Sequence, residues 1–182
     1  MPAPARVHAT CVAIGVVIGV ARDARAGRRA PVTWVGALLL GPSGSGKSDL
    51  ALRLIDAGGV LVADDQVALD VRAGRLFASA PPHLPALLEV RGVGLVPMER
   101  AQPVALAAVF DLTPGGHGER LPPRALWRFG GVALPLYCID PAGPSAAARV
   151  RLLVARAPVD PDADADADAD VGHPVDASRD ES

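Results

Sequence analysis

A glycine-rich segment with one lysine is the part of the sequence best suited to chemistry. It reads Gly41-Pro-Ser-Gly-Ser-Gly-Lys-Ser48 and fits the phosphate-loop pattern at all four fixed positions. Glycines allow successive backbone N–H groups to turn towards phosphate oxygens, and a helix that follows directs its positive end at them. The pattern predicts nucleotide binding by Gly41, Pro42, Ser43, Gly44, Ser45, Gly46, Lys47 and Ser48.

Lys47 stands out because it is the only lysine among 18 basic side chains. Its compact ammonium group can meet the β- and γ-phosphates, whereas the planar guanidinium of arginine has a different geometry. The hydroxyl of Ser48 can serve as a ligand of Mg²⁺. These two residues therefore predict ATP and Mg²⁺ as cofactors.

Two apolar segments end in carboxylates, which phosphoryl transfer needs to hold the metal and to activate the attacking oxygen. Asp64 and Asp65 end the first segment, and Asp111 ends the second. If Asp64 and Asp65 lie on a strand, their side chains point to opposite faces and have different roles. Their spacing favours this pair over Asp111, and a cap at the end of a strand is the structural alternative for all three.

Glu89 is a further candidate, since it is the only acidic residue in the stretch Leu88-Glu-Val-Arg-Gly-Val-Gly-Leu95. A carboxylate in such apolar surroundings either serves a site or forms an ion pair with a neighbour. The nearest cation in the sequence is Arg91, so a structural pair of Glu89 and Arg91 is the alternative.

The elements that would position these residues alternate early between strands and helices, and the middle of the chain is rich in strands. A buried strand is predicted immediately before the glycine-rich loop and a helix immediately after it, which is the context that the pattern requires. We predict an α/β fold, a phosphate-loop nucleotide-binding domain with a mixed, β-rich sheet. The predicted strands cover residues 7–14, 16–20, 33–40, 60–65, 66–71, 76–79, 104–112 and 132–139, and the predicted helices cover residues 47–57 and 145–157.

Charge is distributed unevenly along the chain. Residues 1–157 carry a net charge of +6, whereas residues 158–182 carry −8 and include an alternating run of Asp and Ala. Because that run offers nothing large to bury, we predict one folded domain over residues 1–157 and a disordered acidic tail over residues 158–182. Weak cation binding is the alternative for the tail, which lacks the glycine turn and closing glutamate of a calcium loop.

The composition also limits the location and partners of the protein. The apolar segment 11–21 is too short to cross a bilayer, which takes roughly 20 residues, and its β-branched residues favour a strand over the alternative of a secretory signal peptide. The two cysteines give no disulfide framework. Scattered arginines and only six aromatic residues argue against nucleic acid. We expect a cytoplasmic protein with no membrane or nucleic-acid partner.

Three motifs resemble, in order and spacing, the catalytic domain of HPr kinase/phosphorylase. They are Gly41-Pro-Ser-Gly-Ser-Gly-Lys-Ser-Asp49, Leu61-Val-Ala-Asp-Asp-Gln-Val67 and Leu88-Glu-Val-Arg-Gly-Val-Gly-Leu95. The resemblance covers roughly residues 8–157, which identifies them as a catalytic domain of the short bacterial form without the family's amino-terminal domain. It implies an ATP-dependent serine protein kinase that phosphorylates HPr, the carrier of the sugar phosphotransferase system, and that can reverse this by phosphorolysis.

The resemblance also implies roles for the carboxylates. Asp64 would act as the base towards the serine hydroxyl and as the acid in the reverse direction. Asp65 would support the position of the metal or a water molecule, while Ser48 and Glu89 would hold Mg²⁺. Asp111 would then have a structural role.

Two basic residues complete the implied site. His8, just before the first strand, corresponds to the family's active-site histidine. Arg120 corresponds to the active-site arginine and would stabilise charge on the transferring phosphoryl group. Arg124 and Arg128 lie close by in the sequence and are the alternatives for that role.

The chain departs from the family in three places. Residues 22–31 form an insertion that is long enough to move His8 away from the site. The family's Pro-Arg-Pro-Gly loop corresponds to Leu134-Pro-Leu-Tyr-Cys-Ile-Asp140, which lacks the arginine and so favours the kinase over the phosphorylase activity. The carboxy-terminal segment through which the family assembles is shortened, which leaves a homo-oligomer as an open possibility.

Two other functions are compatible with the residues. A small-molecule kinase or NTPase would use the same loop, and a non-catalytic regulator would sense ATP without turning it over. Acceleration of ATP turnover by HPr or by a metabolite separates the first alternative from the protein kinase. Nucleotide binding without any turnover would indicate the second.

Overall fold

The computed structural model describes residues 4–17, 32–113, 115 and 125–157. Within this part of the chain there are eleven strands and two helices. The strands are β1 (Ala5–His8), β2 (Thr10–Val17), β3 (Val32–Leu40), β4 (Val60–Ala63), β5 (Gln66–Arg72), β6 (Arg75–Ser79), β7 (Leu87–Val90), β8 (Gly94–Pro97), β9 (Val104–Leu112), β10 (Ala125–Phe129) and β11 (Val132–Ile139), and the helices are α1 (Lys47–Asp56) and α2 (Ala146–Arg156).

Nine of the strands form one mixed sheet. Seven follow the order β1-β5-β6-β9-β3-β2-β4, while β11 pairs with the last residues of β9 and β10 pairs with β11. The pairs β3–β9 and β9–β11 are parallel, and the other pairs are antiparallel. Strands β7 and β8 form a separate antiparallel pair, the β7–β8 hairpin. The predicted α/β class with a mixed, β-rich sheet is confirmed.

The central strands are buried on both faces, which fixes the elements around the glycine-rich loop. Alternate residues of β3 and β9 belong to two different apolar clusters, so that Leu39 and Phe110 pack on one face, and Leu38 and Val109 on the other. The first cluster also contains the buried stripes of both helices, namely Leu50, Ala51, Leu54, Ala146, Val150 and Val154. Since burying one such aliphatic side chain is worth about 1.5–3 kcal/mol, these stripes hold α1 and α2 against the sheet.

Most predicted elements are present with small changes at their ends. The strand predicted over residues 60–65 ends at Ala63, and the strands predicted over 7–14 and 16–20 are divided at Ala9 instead of Gly15. Strands β7, β8 and β10 have no counterpart among the predictions. Residues 10–17 pair with both β3 and β4, which confirms the strand interpretation for them. No helix among the described residues is long and apolar enough to cross a membrane. The insertion at residues 22–31 and the acidic tail at 158–182 lie outside the described residues.

Candidate active site

The glycine-rich loop, residues 41–46, connects the end of β3 to the start of α1 through glycines with positive φ. The φ angles of Gly41, Gly44 and Gly46 are 144°, 79° and 95°. A Cβ at Gly41 would lie 2.7 Å from Oγ of Ser45, and a Cβ at Gly46 would lie 3.2 Å from the ring of Pro141. The loop therefore requires glycine at both ends, for its backbone conformation and for space.

Donors without partners make this loop suitable for a phosphate group. Oγ of Ser45 is buried and has no hydrogen-bond partner among the described residues. The first N–H groups of α1, including those of Lys47 and Ser48, have no acceptor inside the helix. Nη2 of Arg91 lies 3.7 Å from the position that a Cβ of Gly44 would take. Free donors, a helix start and a nearby guanidinium fit the phosphates of a nucleotide.

Lys47 is folded back onto the loop. Its Nζ donates hydrogen bonds to the carbonyl oxygens of Gly41 at 2.7 Å and Pro42 at 2.9 Å. The side chain is only 7% exposed. Burial lowers the pKa of Lys47 from its ordinary value, and the negative charges of Asp64 and Asp65 oppose that change. Lys47 is thus held close to the loop by polar contacts that a phosphate oxygen can replace.

His8 reaches the same place because β1 pairs with β5, where His8 lies opposite Gln66. Its Nε2 is 3.2 Å from Nζ of Lys47, and its Nδ1 is 3.0 Å from Oδ1 of Asp65. A neutral imidazole satisfies both contacts when Nδ1–H donates to Asp65 and Nε2 accepts from Lys47. The displacement of His8 expected from the insertion is not observed.

Asp64 lies between two hydroxyl groups. Oγ1 of Thr10 donates to Oδ1 at 2.6 Å, and Oγ of Ser48 lies 3.3 Å from Oδ1 and 3.2 Å from Oδ2. The sequence predicted the roles of Asp64 and Ser48 but missed Thr10. The signal available for Thr10 was that it is a polar residue inside an apolar strand, two positions after His8.

Asp65 corrects the expectation that the two aspartates point to opposite faces of a strand. Both residues lie in the turn between β4 and β5, where N–H of Gln66 donates to the carbonyl oxygen of Asp64 at 2.8 Å. Asp65 adopts a φ of 66°, which breaks the alternation of a strand. Both carboxylates consequently act on Lys47, although Asp64 contacts Ser48 and Asp65 contacts His8.

Glu89 is the predicted site residue with the least contact. It lies on β7 beside Leu88, which is fully buried in the cluster that contains the α1 residues. The side chain of Glu89 is exposed, and among the described residues it forms no ion pair with Arg91. The alternative of a structural pair with Arg91 is therefore not observed.

The other acidic and basic candidates lie away from these contacts or outside the described residues. Asp111 is opposite Cys138 in the β9–β11 pair, where burial and the charge of Asp111 raise the pKa of that thiol. Arg120 and Arg124 lie outside the described residues, and Arg128 lies on β10.

The contacts that Arg53 makes next to the loop were not predicted. Arg53 of α1 donates to the carbonyl oxygens of Gly143, at 3.3 Å, and Pro141, and it forms an ion pair with Asp49 at 2.8 Å. Pro141 is buried against Gly46, so Arg53 joins the loop to the segment before α2. Residues 134–139, which were matched to the family's Pro-Arg-Pro-Gly loop, belong to strand β11. The expectation that they form a loop is therefore corrected.

The oxygen atoms near the start of α1 fit a magnesium ion with few protein ligands. Oγ of Ser48 is a hard oxygen donor, and the carboxylate of Asp64 lies within 3.3 Å of it. Mg²⁺ is usually held by one or two such groups together with water and substrate phosphates. Among the described residues, no group of three or more His, Cys, Asp or Glu side chains is arranged to hold a metal.

A buried strand, a glycine-rich loop and a helix follow one another in this α/β protein, in the order that the phosphate-loop pattern predicts. Residues 22–103 match the family described as HPr Serine kinase C-terminal domain. That range includes the loop, Asp64, Asp65 and Glu89, whereas His8 and Arg120 lie outside it.

Several curated proteins named HPr kinase/phosphorylase are similar to parts of the chain. The protein from Brevibacillus brevis is 49% identical over 63 residues, which are 34% of this chain and 20% of the relative. The protein from Clostridium tetani is 41% identical over 81 residues, 44% of this chain and 26% of the relative. The protein from Burkholderia cenocepacia is 42% identical over 102 residues, 50% of this chain and 31% of the relative. The chain thus spans less than a third of the length of these relatives.

A solved structure has the same fold. The Hpr(Ser) kinase/phosphatase from Coxiella burnetii matches 82% of this chain and 93% of its own chain, with a TM-score of 0.61 and 19% sequence identity. The resemblance found in the three motifs is confirmed: residues 22–103 match the family's C-terminal domain, parts of the chain are similar to proteins named HPr kinase/phosphorylase, and the fold agrees.

Proposed function

We propose that the chain is an ATP- and Mg²⁺-dependent phosphotransferase that phosphorylates a serine of an HPr-type phosphocarrier protein. The observation that carries the proposal is the cluster in which Asp64 contacts the hydroxyl of Ser48 beside the buried Lys47. A carboxylate next to a phosphate-binding lysine and a magnesium-binding hydroxyl is what transfer to an alcohol requires. The names of the relatives supply the substrate protein.

The loop and Lys47 bind the nucleotide in this proposal. Nζ of Lys47 exchanges the carbonyl oxygens of Gly41 and Pro42 for phosphate oxygens, and the free N–H groups at the start of α1 bind the same anion. The contact of 3.2 Å between His8 and Lys47 keeps the ammonium group directed at the loop. Asp65 fixes the imidazole of His8 through Nδ1.

Asp64 acts as the base. The serine hydroxyl of the substrate transfers its proton to Asp64 while its oxygen bonds to the γ-phosphorus and the bond from that phosphorus to ADP breaks. Ser48 and Glu89 are the residues that would hold Mg²⁺, and the ion would neutralise charge on the phosphates when bound. Arg120 would stabilise charge on the transferring group.

The reverse reaction uses the same groups. Inorganic phosphate would attack the phosphorus of the phosphoserine to form pyrophosphate, the bond from that phosphorus to the serine oxygen would break, and protonated Asp64 would give its proton to that oxygen. Such a cytoplasmic enzyme would regulate carbohydrate metabolism or phosphotransferase signalling, and light scattering would show whether it works as a homo-oligomer.

The test is a phosphotransfer assay with labelled ATP, Mg²⁺ and an HPr-type protein from the same cell. We expect label on a serine, and we expect Asp64→Asn to lower the rate about 100- to 10,000-fold, as loss of a general base does. Asp70→Asn is the matched control, because Asp70 forms an ion pair with Arg72 on β5.

The outcomes separate the candidate functions. Unchanged labelling in Asp64→Asn would contradict the role of Asp64 as base. ATP turnover that a metabolite accelerates and HPr does not would indicate a small-molecule kinase or NTPase. Nucleotide binding with no turnover under any substrate would indicate an ATP-sensing regulator.

A further inference from the structure

Thr10 is an internal polar residue for which neither the motifs nor the resemblance gives a role. It is the first residue of β2 and has 0% exposure. Among the described residues only Ser45 and Lys47 are also polar or charged and buried. The next residue of β2, Cys11, lies opposite Ala63 at the end of β4, so Thr10 is next to the turn that carries Asp64.

The contact between Thr10 and Asp64 is the shortest that Asp64 makes. Oγ1 of Thr10 donates to Oδ1 at 2.6 Å, a distance typical of a hydroxyl bonded to an ionised carboxylate. Ser48 is farther away, at 3.3 Å from Oδ1 and 3.2 Å from Oδ2, and so does not distinguish the two oxygens. Among the residues that the structure describes, only Thr10 contacts one of the two oxygens selectively.

The charged groups around Asp64 do not provide this selection. Lys47 of α1 is close enough for the negative charges of Asp64 and Asp65 to act on it. His8 of β1 contacts both Lys47 and Asp65. Such charges act on the carboxylate as a whole, whereas a directed hydrogen bond acts on one oxygen. The side chain of Thr10 is also β-branched and enclosed in the core, which restricts its rotamers.

We infer that Thr10 is a positioning residue that occupies Oδ1 of Asp64 and leaves Oδ2 to receive the proton of the phosphoryl acceptor's hydroxyl. The inference rests on the proposed function, because it needs Asp64 to act as the base. Thr10 touches no substrate, and its effect passes through the orientation of the Asp64 carboxylate.

The test is the nearly isosteric variant Thr10→Val, which keeps the packing and removes the donor. We expect kcat for phosphotransfer to fall about 10- to 100-fold, as for a hydrogen bond to a charged group, while KM for ATP stays the same. Thr10→Ser, which keeps the hydroxyl, should retain most of the wild-type kcat. Thr33→Val on β3 makes the same chemical change far along the strand from the loop and should leave kcat unchanged.

A second readout does not depend on activity. In the nucleotide-free protein, the hydroxyl proton of Thr10 should exchange slowly enough to be seen by NMR, and it should disappear in Thr10→Val. In Asp64→Ala the same proton should exchange rapidly, because its acceptor is gone.

These experiments distinguish a failure of the role inferred for Thr10 from a failure of the proposed kinase function. Wild-type kcat in Thr10→Val, an equal loss in Thr10→Ser, or rapid exchange of the hydroxyl proton in the wild-type protein would each overturn the inference while leaving the kinase proposal intact. If the wild-type protein transfers no phosphoryl group to the phosphocarrier, the proposed function itself fails, and the role of Thr10 in it fails too.

Discussion

The loop end of the main sheet and the β7–β8 hairpin both carry motifs shared with the family, but their polar residues are in opposite situations. At the loop end, Asp64 and Asp65 each have a partner on another element. On the hairpin, Glu89 is exposed without an ion pair among the described residues, and the neighbouring Val93 and Leu95 are 74% and 66% exposed.

The difference follows from what supports each region. Strands β2, β3 and β4 are buried and paired in the main sheet, so the residues at their ends have little freedom. The hairpin is a two-stranded pair, a structure that is marginal alone in water. Its one fully buried large side chain is Leu88. The base side of the site is thus organised by the fold, whereas Glu89 lies on a hairpin with one fully buried large side chain, Leu88, and a partly buried Val90 packed against the same cluster.

The largest effect should come from Lys47→Arg at the loop end. The guanidinium cannot occupy the space of the ammonium between the carbonyl oxygens of Gly41 and Pro42, so we expect phosphotransfer to fall at least about 100-fold. The rate with labelled ATP and the affinity for nucleotide are the measurements. Net charge is unchanged, and Arg156→Lys at the exposed end of α2 is the reciprocal control.

Normal turnover in Lys47→Arg would remove the basis for assigning phosphate binding to this loop. Equal losses in Lys47→Arg and Arg156→Lys would point to a general effect of basic residues on the protein. Both results would weaken the contrast between an organised loop end and a loosely supported hairpin.

Sequence reasoning works best where local pattern decides the structure. The strand before the loop, the helix after it and the hairpin of β5 and β6 follow from apolar periodicity and glycine placement over a few residues. The same reasoning placed Lys47 and Ser48 at the loop, because the loop motif fixes their local geometry, and the spacing of the acidic residues favoured Asp64 and Asp65 over Asp111. His8 came from the resemblance, since one histidine before a strand carries no pattern of its own.

The contacts that were missed join residues far apart in the chain. Thr10 meets Asp64 across 54 positions, and Arg53 meets Gly143 across 90. No periodicity reports such pairs, because they depend on the order of strands in the sheet and on the packing of α1 against the segment before α2. The left-handed conformation of Asp65 was missed for another reason, since the apolar run before it favoured a continuous strand.

An intermediate effect is expected from Leu88→Ala, which removes the most deeply buried apolar contact of the hairpin. We expect a loss of about 2–3 kcal/mol in the free energy of unfolding, at the lower end for a buried leucine because the hairpin can partly collapse into the cavity. Urea unfolding measures it. Leu95→Ala is the matched control on the paired strand and should cost less than about 0.5 kcal/mol, since its side chain is exposed.

Leu88→Ala should also raise the Mg²⁺ concentration needed for half-maximal phosphotransfer, because Glu89 adjoins the lost anchor. A similar cost in stability for Leu88→Ala and Leu95→Ala would show that the hairpin is held by more than Leu88. The contrast between the two regions would then be one of exposure only.

The smallest effect is expected at Asp65, where the contact with His8 and the backbone conformation can be separated. The His8–Asp65 pair is 51% and 75% exposed, so it contributes little to stability, whereas a φ of 66° costs an L-residue such as alanine about 1 kcal/mol. Asp65→Ala should therefore lower the free energy of unfolding by about 1 kcal/mol more than Asp65→Gly, and Asp65→Asn should lie close to the wild type.

Ala73 provides the matched control for this backbone effect, because it is a non-glycine residue with a φ of 48° in the turn between β5 and β6. Ala73→Gly should stabilise the protein by up to about 1 kcal/mol in urea unfolding, since it relieves the same conformational cost without changing any charge. If Asp65→Gly proves as damaging as Asp65→Ala, the carboxylate and not the turn stabilises this position. The contact between Asp65 and His8 would then stabilise the fold at the loop end in addition to orienting His8.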